Sequence, residues 1–223
     1  MAISVDERHA GSEPPDARPD PHARELFWNL PNTITVLRTA VVPVLLTLPF
    51  LSGKFGSQIV AWLFIVAALT DILDGWLARR GRQVTRVGKL LDPLADKLLV
   101  STALIVLLVT PTDPPGAGLG RIPPWAVWMV VVIVGRELAV TGLRGLASVG
   151  GQVLGASWLG KTKAVAQNIA IGALIFHYPT FGLPAHEIGL AMLTLATVLT
   201  IVSGYLYFAE YFRESSEGGL QGE

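Results

Sequence analysis

Six long apolar runs constrain this chain more than any other feature. They fall at about residues 33–52, 57–79, 90–110, 123–144, 162–179 and 186–209. Each approaches the roughly 20 residues that a helix needs to cross hydrocarbon, and each is too long for an ordinary core strand. Short connections join them, among them the Pro/Gly-rich stretch from Pro111 to Gly120 and the segment HYPTFGLPAHE. Only 15% of the 223 residues are charged and 51% are hydrophobic, against about 25% charged in a typical globular domain. The expectation is an all-α integral membrane protein, with six transmembrane helices and an N-terminal interfacial amphipathic helix. The latter rests on ARELFWNLPN, where Phe27 and Trp28 sit beside charges.

Three domains follow: a disordered cytoplasmic tail at 1–22, a membrane domain at 23–213 and a cytoplasmic C-terminal tail at 214–223. The first of these is Pro-rich, of mixed charge and without an apolar core, so it is not read as a secretory signal. The connections after runs one, three and five hold Lys54, then Arg121, then no Lys or Arg at all. Most of the remaining basic residues lie on the opposite side. By the positive-inside rule both termini face the cytoplasm of a cell (inner or plasma) membrane. Trp125 and Trp128 then mark the outer interface. Formal net charge is zero, which points to no nucleic-acid partner, and the absence of cysteine excludes disulfides and thiolate ligands. No internal repeat is visible, against an inverted-repeat transporter.

Against this apolar background, TDILDGWLARRGRQVTRVGKLLDPLAD places Asp71, Asp74, Asp92 and Asp96 at or inside the ends of runs two and three. Asp71 and Asp74 are three apart and share a helix face, continued by Gly75, Ala78 and Arg79. Gly88, Asp92 and Asp96 are four apart and form a second stripe. A short connection makes the two helices antiparallel neighbours, so the stripes can face each other. Four carboxylates cannot all stay ionised at low dielectric without positive partners. Two divalent cations, Mg²⁺ or Mn²⁺, would balance them, because hard oxygen ligands without His or Cys do not select zinc. The small residues leave room beside the metals, and Arg79 offers a planar fork to phosphate. Two other readings stay open on this evidence: interfacial acids paired with neighbouring Arg and Lys, or a proton or ion relay, as in a cation-binding transporter.

The same residues fit D-x2-D-G-x2-A-R-x8-G-x3-D-x3-D and so resemble the CDP-alcohol phosphotransferases; eight fixed positions match across 71–96. That resemblance implies six transmembrane helices, a homodimer and a metal site open to the cytoplasm. It implies that Asp71, Asp74 and Asp92 hold one metal, and that Asp96 binds the second and acts as general base on an acceptor hydroxyl. Gly75, Ala78, Arg79, Thr85 and Gly88 are implied to line the CDP-donor site. Asn32, Thr35 and Arg38, in NLPNTITVLR, resemble the family's pattern near the cytidine.

The acceptor is read from GRELAVTGLRG and GKTKAVAQN, which gather Arg136, Arg144, Lys161 and Lys163 at the cytoplasmic ends of runs four and five. Arg136 lies about two turns inside the predicted boundary, where a lone guanidinium is costly. Arg136, Arg144 and Lys161 are expected to bind an acceptor phosphate; Lys163 is read as an ordinary positive-inside residue. A cationic alcohol would be repelled by such a pocket. RELAVTGLR, GKTKAVAQ and SGYLYF also resemble the phosphatidylglycerophosphate synthases, with Ala164 where threonine is often found. The substrates so implied are CDP-diacylglycerol and sn-glycerol 3-phosphate. Inositol phosphate and phosphatidylglycerol are the alternative acceptors.

Overall fold

The computed structural model describes residues 30–78, 86–112, 120–149 and 158–218. Six α-helices account for most of them: α1 Leu30–Leu45, α2 Lys54–Ala78, α3 Arg86–Val109, α4 Val127–Val149, α5 Trp158–Phe176 and α6 Ala185–Gly218. A single 3-10 turn, Pro124–Ala126, leads into α4. The described residues contain no β-strand, only an isolated bridge between Thr180 and Leu183. The tail at 1–22, and most of the stretch expected to form the interfacial helix, lie outside the described residues.

Every apolar run forms a helix, but the ends differ from the hydropathy boundaries. α1 stops at Leu45 instead of near residue 52. Pro43 lies inside it, and the chain continues in tighter turns, such as Leu48 N–H donating to the Leu45 carbonyl at 3.0 Å. α3 and α5 start about a turn early, at Arg86 and Trp158, because polar residues continue a backbone ladder that hydropathy does not register. For the same reason α6 runs past Arg213 into the segment expected to be a tail.

α5 is central. It packs along α6 and against α2 and α3, while α1 packs on α2 and α3 and α4 packs on α6 and α3. The interior between them is apolar, with Phe64, Leu104, Leu107, Ile133, Ile171 and Leu174 buried in it. The outside is apolar too, with Phe50, Trp62, Leu69, Val131, Leu138 and Ile201 all exposed. Helices that are apolar all round have no water-facing side, which suits a lipid environment. Two helical segments among the described residues, 124–147 and 185–213, are long and apolar enough to cross a membrane.

One end of the bundle is tied together by Arg121, which is fully buried. Its Nη1 donates to the carbonyls of Leu174, at 3.4 Å, and Ile175; its Nη2 donates to the Ser52 carbonyl at 2.8 Å and Ser57 Oγ at 2.6 Å. It thereby satisfies carbonyls left over at the end of α5 and joins them to the α1–α2 connection. Tyr178 Oη donates to the same Ser52 carbonyl at 3.1 Å. Burial pushes the guanidinium down to about 10, so it stays charged at neutral pH. Gly120 makes this possible: a Cβ there would lie 2.0 Å from the Leu108 carbonyl oxygen.

Replacing Arg121 with Met keeps the apolar stem but leaves those acceptors unpaired. We expect a loss of about 3 kcal/mol, seen as a lower thermal midpoint of the purified protein in detergent. An unchanged midpoint would contradict the tie.

Candidate active site

At the other end of the bundle, α3, α4 and α5 bring Asp96, Lys97, Glu137, Lys163, Gln167 and Asn168 around one small cleft of about 40 Å³, room for a few waters or one polar group of a ligand. Asp96 and Lys97 come from the middle of α3, Glu137 from the middle of α4, and Lys163, Gln167 and Asn168 from the first half of α5. The cleft mixes two carboxylates with two ammonium groups, so charges are balanced within it instead of standing alone.

Glu137 is the junction of this network. Its Oε1 pairs with Lys163 Nζ and, at 3.4 Å, with Arg136 Nη1. Arg136 is held on its other arm by α6, where Nη2 lies 3.1 Å from Ser203 Oγ. Gly204 gives the arginine stem its path, since a Cβ there would come within 3.2 Å of Arg136 Cγ. About two helical turns further along α4, Arg144 lies over the ring of Tyr207, 5.8 Å from its centroid. The α6 segment SGYLYF therefore braces both arginines of RELAVTGLR. Lys97 donates to Thr141 Oγ1, and Thr141 in turn donates to the Glu137 carbonyl at 2.6 Å, which ties α3 to α4.

The site residues expected from sequence separate into three groups. Asp96 lines the cleft, and Arg136 stands beside it through Glu137. Arg144 is braced on Tyr207 but exposed, and Lys161 is exposed. Thr35 and Arg38, three apart on α1, are both buried. Asp71, Asp74, Gly75 and Ala78 fall on α2, Gly88 and Asp92 on α3 and Asn32 on α1, but their side chains lie outside those described. Arg79 and Thr85 lie outside the described residues altogether. The facing of the two aspartate stripes lies outside them as well.

Five of the six polar cleft residues, Lys97, Glu137, Lys163, Gln167 and Asn168, were not among the site residues expected from sequence. Lys163 was read as an interfacial charge, yet it is only 4% exposed and points inward. Spacing carried part of the signal: Lys163 and Gln167 are four apart and share a face of α5. Glu137 was noted only as a partner for Arg136, and Lys97 only as a possible partner for the acids.

Two side chains of the cleft offer oxygen atoms of the kind a hard divalent cation takes. The Asp96 carboxylate and the Gln167 side chain line the same cleft, and Gln167 Oε1 is buried with no hydrogen-bond partner among the described residues. Oxygen donors of this kind favour Mg²⁺ or Mn²⁺. No group of three His, Cys, Asp or Glu side chains gathers among the described residues.

Residues 28–202 match the CDP-alcohol phosphatidyltransferase family. The chain belongs to that family. It is 42% identical over 196 residues to a protein of Bacillus subtilis named CDP-diacylglycerol–glycerol-3-phosphate 3-phosphatidyltransferase, covering 82% of this chain and 95% of that one. It is 40% identical over 201 residues to a probable phosphatidylglycerophosphate synthase of Mycobacterium tuberculosis, covering 89% and 88%. A Rickettsia bellii protein with the first of these names is 34% identical over 181 residues, covering 81% and 93%. The family match covers α1 to α5 and the first half of α6, and so every residue of the cleft.

Two glycines of this site should respond oppositely to a larger residue. Gly204→Val drives a side chain into the Arg136 stem and should cost about 1–3 kcal/mol. Gly135→Ala enters open space and should gain about 0.5–1 kcal/mol from helix propensity. Thermal unfolding of the two variants in detergent checks both signs.

Proposed function

We propose that this chain transfers the phosphatidyl group of CDP-diacylglycerol to sn-glycerol 3-phosphate, giving phosphatidylglycerol phosphate and CMP. The observation that carries the reading is the single cleft in which Asp96 meets Lys97 and Lys163, with Arg136 alongside. A group able to take a proton thus lies beside cations able to hold a phosphate-bearing alcohol. The names of the relatives from Bacillus, Mycobacterium and Rickettsia describe the same transfer.

In this reading Asp71, Asp74, Asp92 and Asp96 hold two divalent cations, Mg²⁺ or Mn²⁺. When bound, such ions withdraw negative charge from the pyrophosphate and the departing CMP. The protein's own groups do the rest. Asn32, Thr35 and Arg38 on α1, with Gly75, Ala78, Arg79, Thr85 and Gly88, bind and orient the CDP end of the donor. Arg136, Arg144 and Lys161 draw in the acceptor phosphate, with Lys163 added by its place in the cleft. Asp96 accepts the proton of the acceptor hydroxyl as oxygen attacks the phosphorus that bears the lipid. Holding the hydroxyl, the carboxylate and the phosphorus in line contributes most to such a transfer.

An apolar cleft of about 430 Å³ between α2 and α5, lined by Trp62, Ile65, Leu69, Ile169 and Phe176, gives the donor's acyl chains a place. Asn168 lines both this cleft and the polar one, so the two meet there.

All six helices span the membrane in this account, as one domain over 23–213, preceded by a cytoplasmic tail at 1–22 and an interfacial helix and followed by a cytoplasmic end. The site opens to the cytoplasm of the cell membrane, and the enzyme works as a homodimer. Burial of Arg121 supports this orientation, because it removes one of the few cations from the surface opposite the site.

Asp96→Asn keeps the shape of the side chain but not its basicity. CMP release from CDP-diacylglycerol should fall at least about 100-fold, while donor binding is retained. Chelation with EDTA should abolish release, and added Mn²⁺ or Mg²⁺ should restore it. Undiminished turnover in Asp96→Asn excludes it as the base, and EDTA-resistant turnover excludes the metals.

A further inference from the structure

Glu137 is a carboxylate placed where an anionic acceptor is to bind, and Coulomb repulsion alone would make it a hindrance. Its contacts give it another purpose. Lys163 is almost fully buried on the second turn of α5, and its ammonium donates to Glu137 Oε1. The stem of a lysine so near a helix end is long enough to turn its head out to water. Without Glu137, Lys97 and Lys163 would share the single carboxylate of Asp96 in the cleft, and a buried ammonium so weakly paired is disfavoured. Arg136 is less free to leave, because Ser203 holds its second arm. Lys97 has a further partner in Thr141.

We propose that Glu137 is a positioning residue for the acceptor: without touching substrate, it keeps the Lys163 ammonium in the Asp96 cleft, so that the acceptor phosphate docks with its hydroxyl at the Asp96 carboxylate. The inference rests on the acceptor reading above. It assigns Lys163, in place of the exposed Lys161, as the cation that sets the register between phosphate and base. Glu137 spends its charge on Lys163 and Arg136, and one net positive charge is left among the three for the incoming phosphate.

The test is steady-state CMP release by full-length protein in detergent micelles, with CDP-diacylglycerol and glycerol 3-phosphate varied separately. Glu137→Gln should raise the KM for glycerol 3-phosphate about 10-fold or more. The KM for the lipid donor should stay within about 2-fold, and kcat should fall less than the acceptor KM rises. Glu137→Asp, which keeps the charge one methylene shorter, should recover part of the loss. Lys163→Met should raise the same KM, and adding Glu137→Gln to it should add little, because the second change acts through the first.

An acceptor KM that is unchanged or lower in Glu137→Gln overturns the inference, as do equal rises in both KM values or fully additive losses in the double variant. If Glu137→Gln does not fold, the comparison of Lys163→Met with the double variant, which loses both charges together, decides the same point. A wild-type protein that releases no CMP with glycerol 3-phosphate overturns the acceptor reading itself. A wild-type protein that turns over normally, with Glu137→Gln indistinguishable from it, overturns only the role of Glu137.

Discussion

The guanidinium of Arg121 meets carbonyls of α5, the carbonyl of Ser52 and the hydroxyl of Ser57 within one buried cluster. A bundle that is apolar inside and out has little hydrophobic preference for one helix arrangement over another, because lipid is as apolar as the interior. Directional contacts must then select the arrangement. Arg121 does so for the α1–α2 connection and α5, and Gly120 permits it by letting the chain pass against the last turn of α3. With that end fixed, α5 is held at the centre of the bundle. Its other half carries Lys163, Gln167 and Asn168 to Asp96 and Lys97 in the middle of α3.

The site end follows the same rule, with more charges. Arg136, Glu137 and Lys163 form a linked set, braced by Ser203 on α6, and Lys97 is tied to α4 through Thr141. Each cation has a fixed partner, so little reorganisation is needed when an anionic group arrives. Preorganisation of this kind lowers the cost of binding and helps hold a hydroxyl against its base. The two ends thus divide the work: one selects the packing, and the other presents charges that the packing has made affordable.

Much of this was legible in the sequence, and the reasons are local. The apolar runs gave every helix because continuous apolar residues at this length have few alternatives. Asp96 and Arg136, which lie in or beside the cleft, stood out because an ionisable residue inside an apolar run is conspicuous. The helix ends were misjudged at Arg86, Trp158 and Leu45, where hydrogen bonding and proline decide and hydropathy is silent. Lys163 was misread for a related reason. Near a helix end, a buried lysine and an interfacial lysine look alike in sequence, and only the position of Glu137 across the helix interface separates them. Arg121 entered only as one of the few basic residues of its side, since a lone arginine after a glycine in a Pro/Gly-rich connection shows nothing of the carbonyls it will meet.

The central claim is that the Asp96 cleft accepts a phosphate-bearing alcohol onto a lipid donor bound at the aspartate stripes. It is tested most directly by incubating purified protein with CDP-diacylglycerol, Mn²⁺ and, in parallel, glycerol 3-phosphate, inositol phosphate or phosphatidylglycerol, with mass spectrometry of the lipids formed. The account predicts phosphatidylglycerol phosphate from glycerol 3-phosphate, in equal amount to the CMP released, and at most traces of product from the other two. Faster product formation from phosphatidylglycerol, or no product from any acceptor, would contradict it.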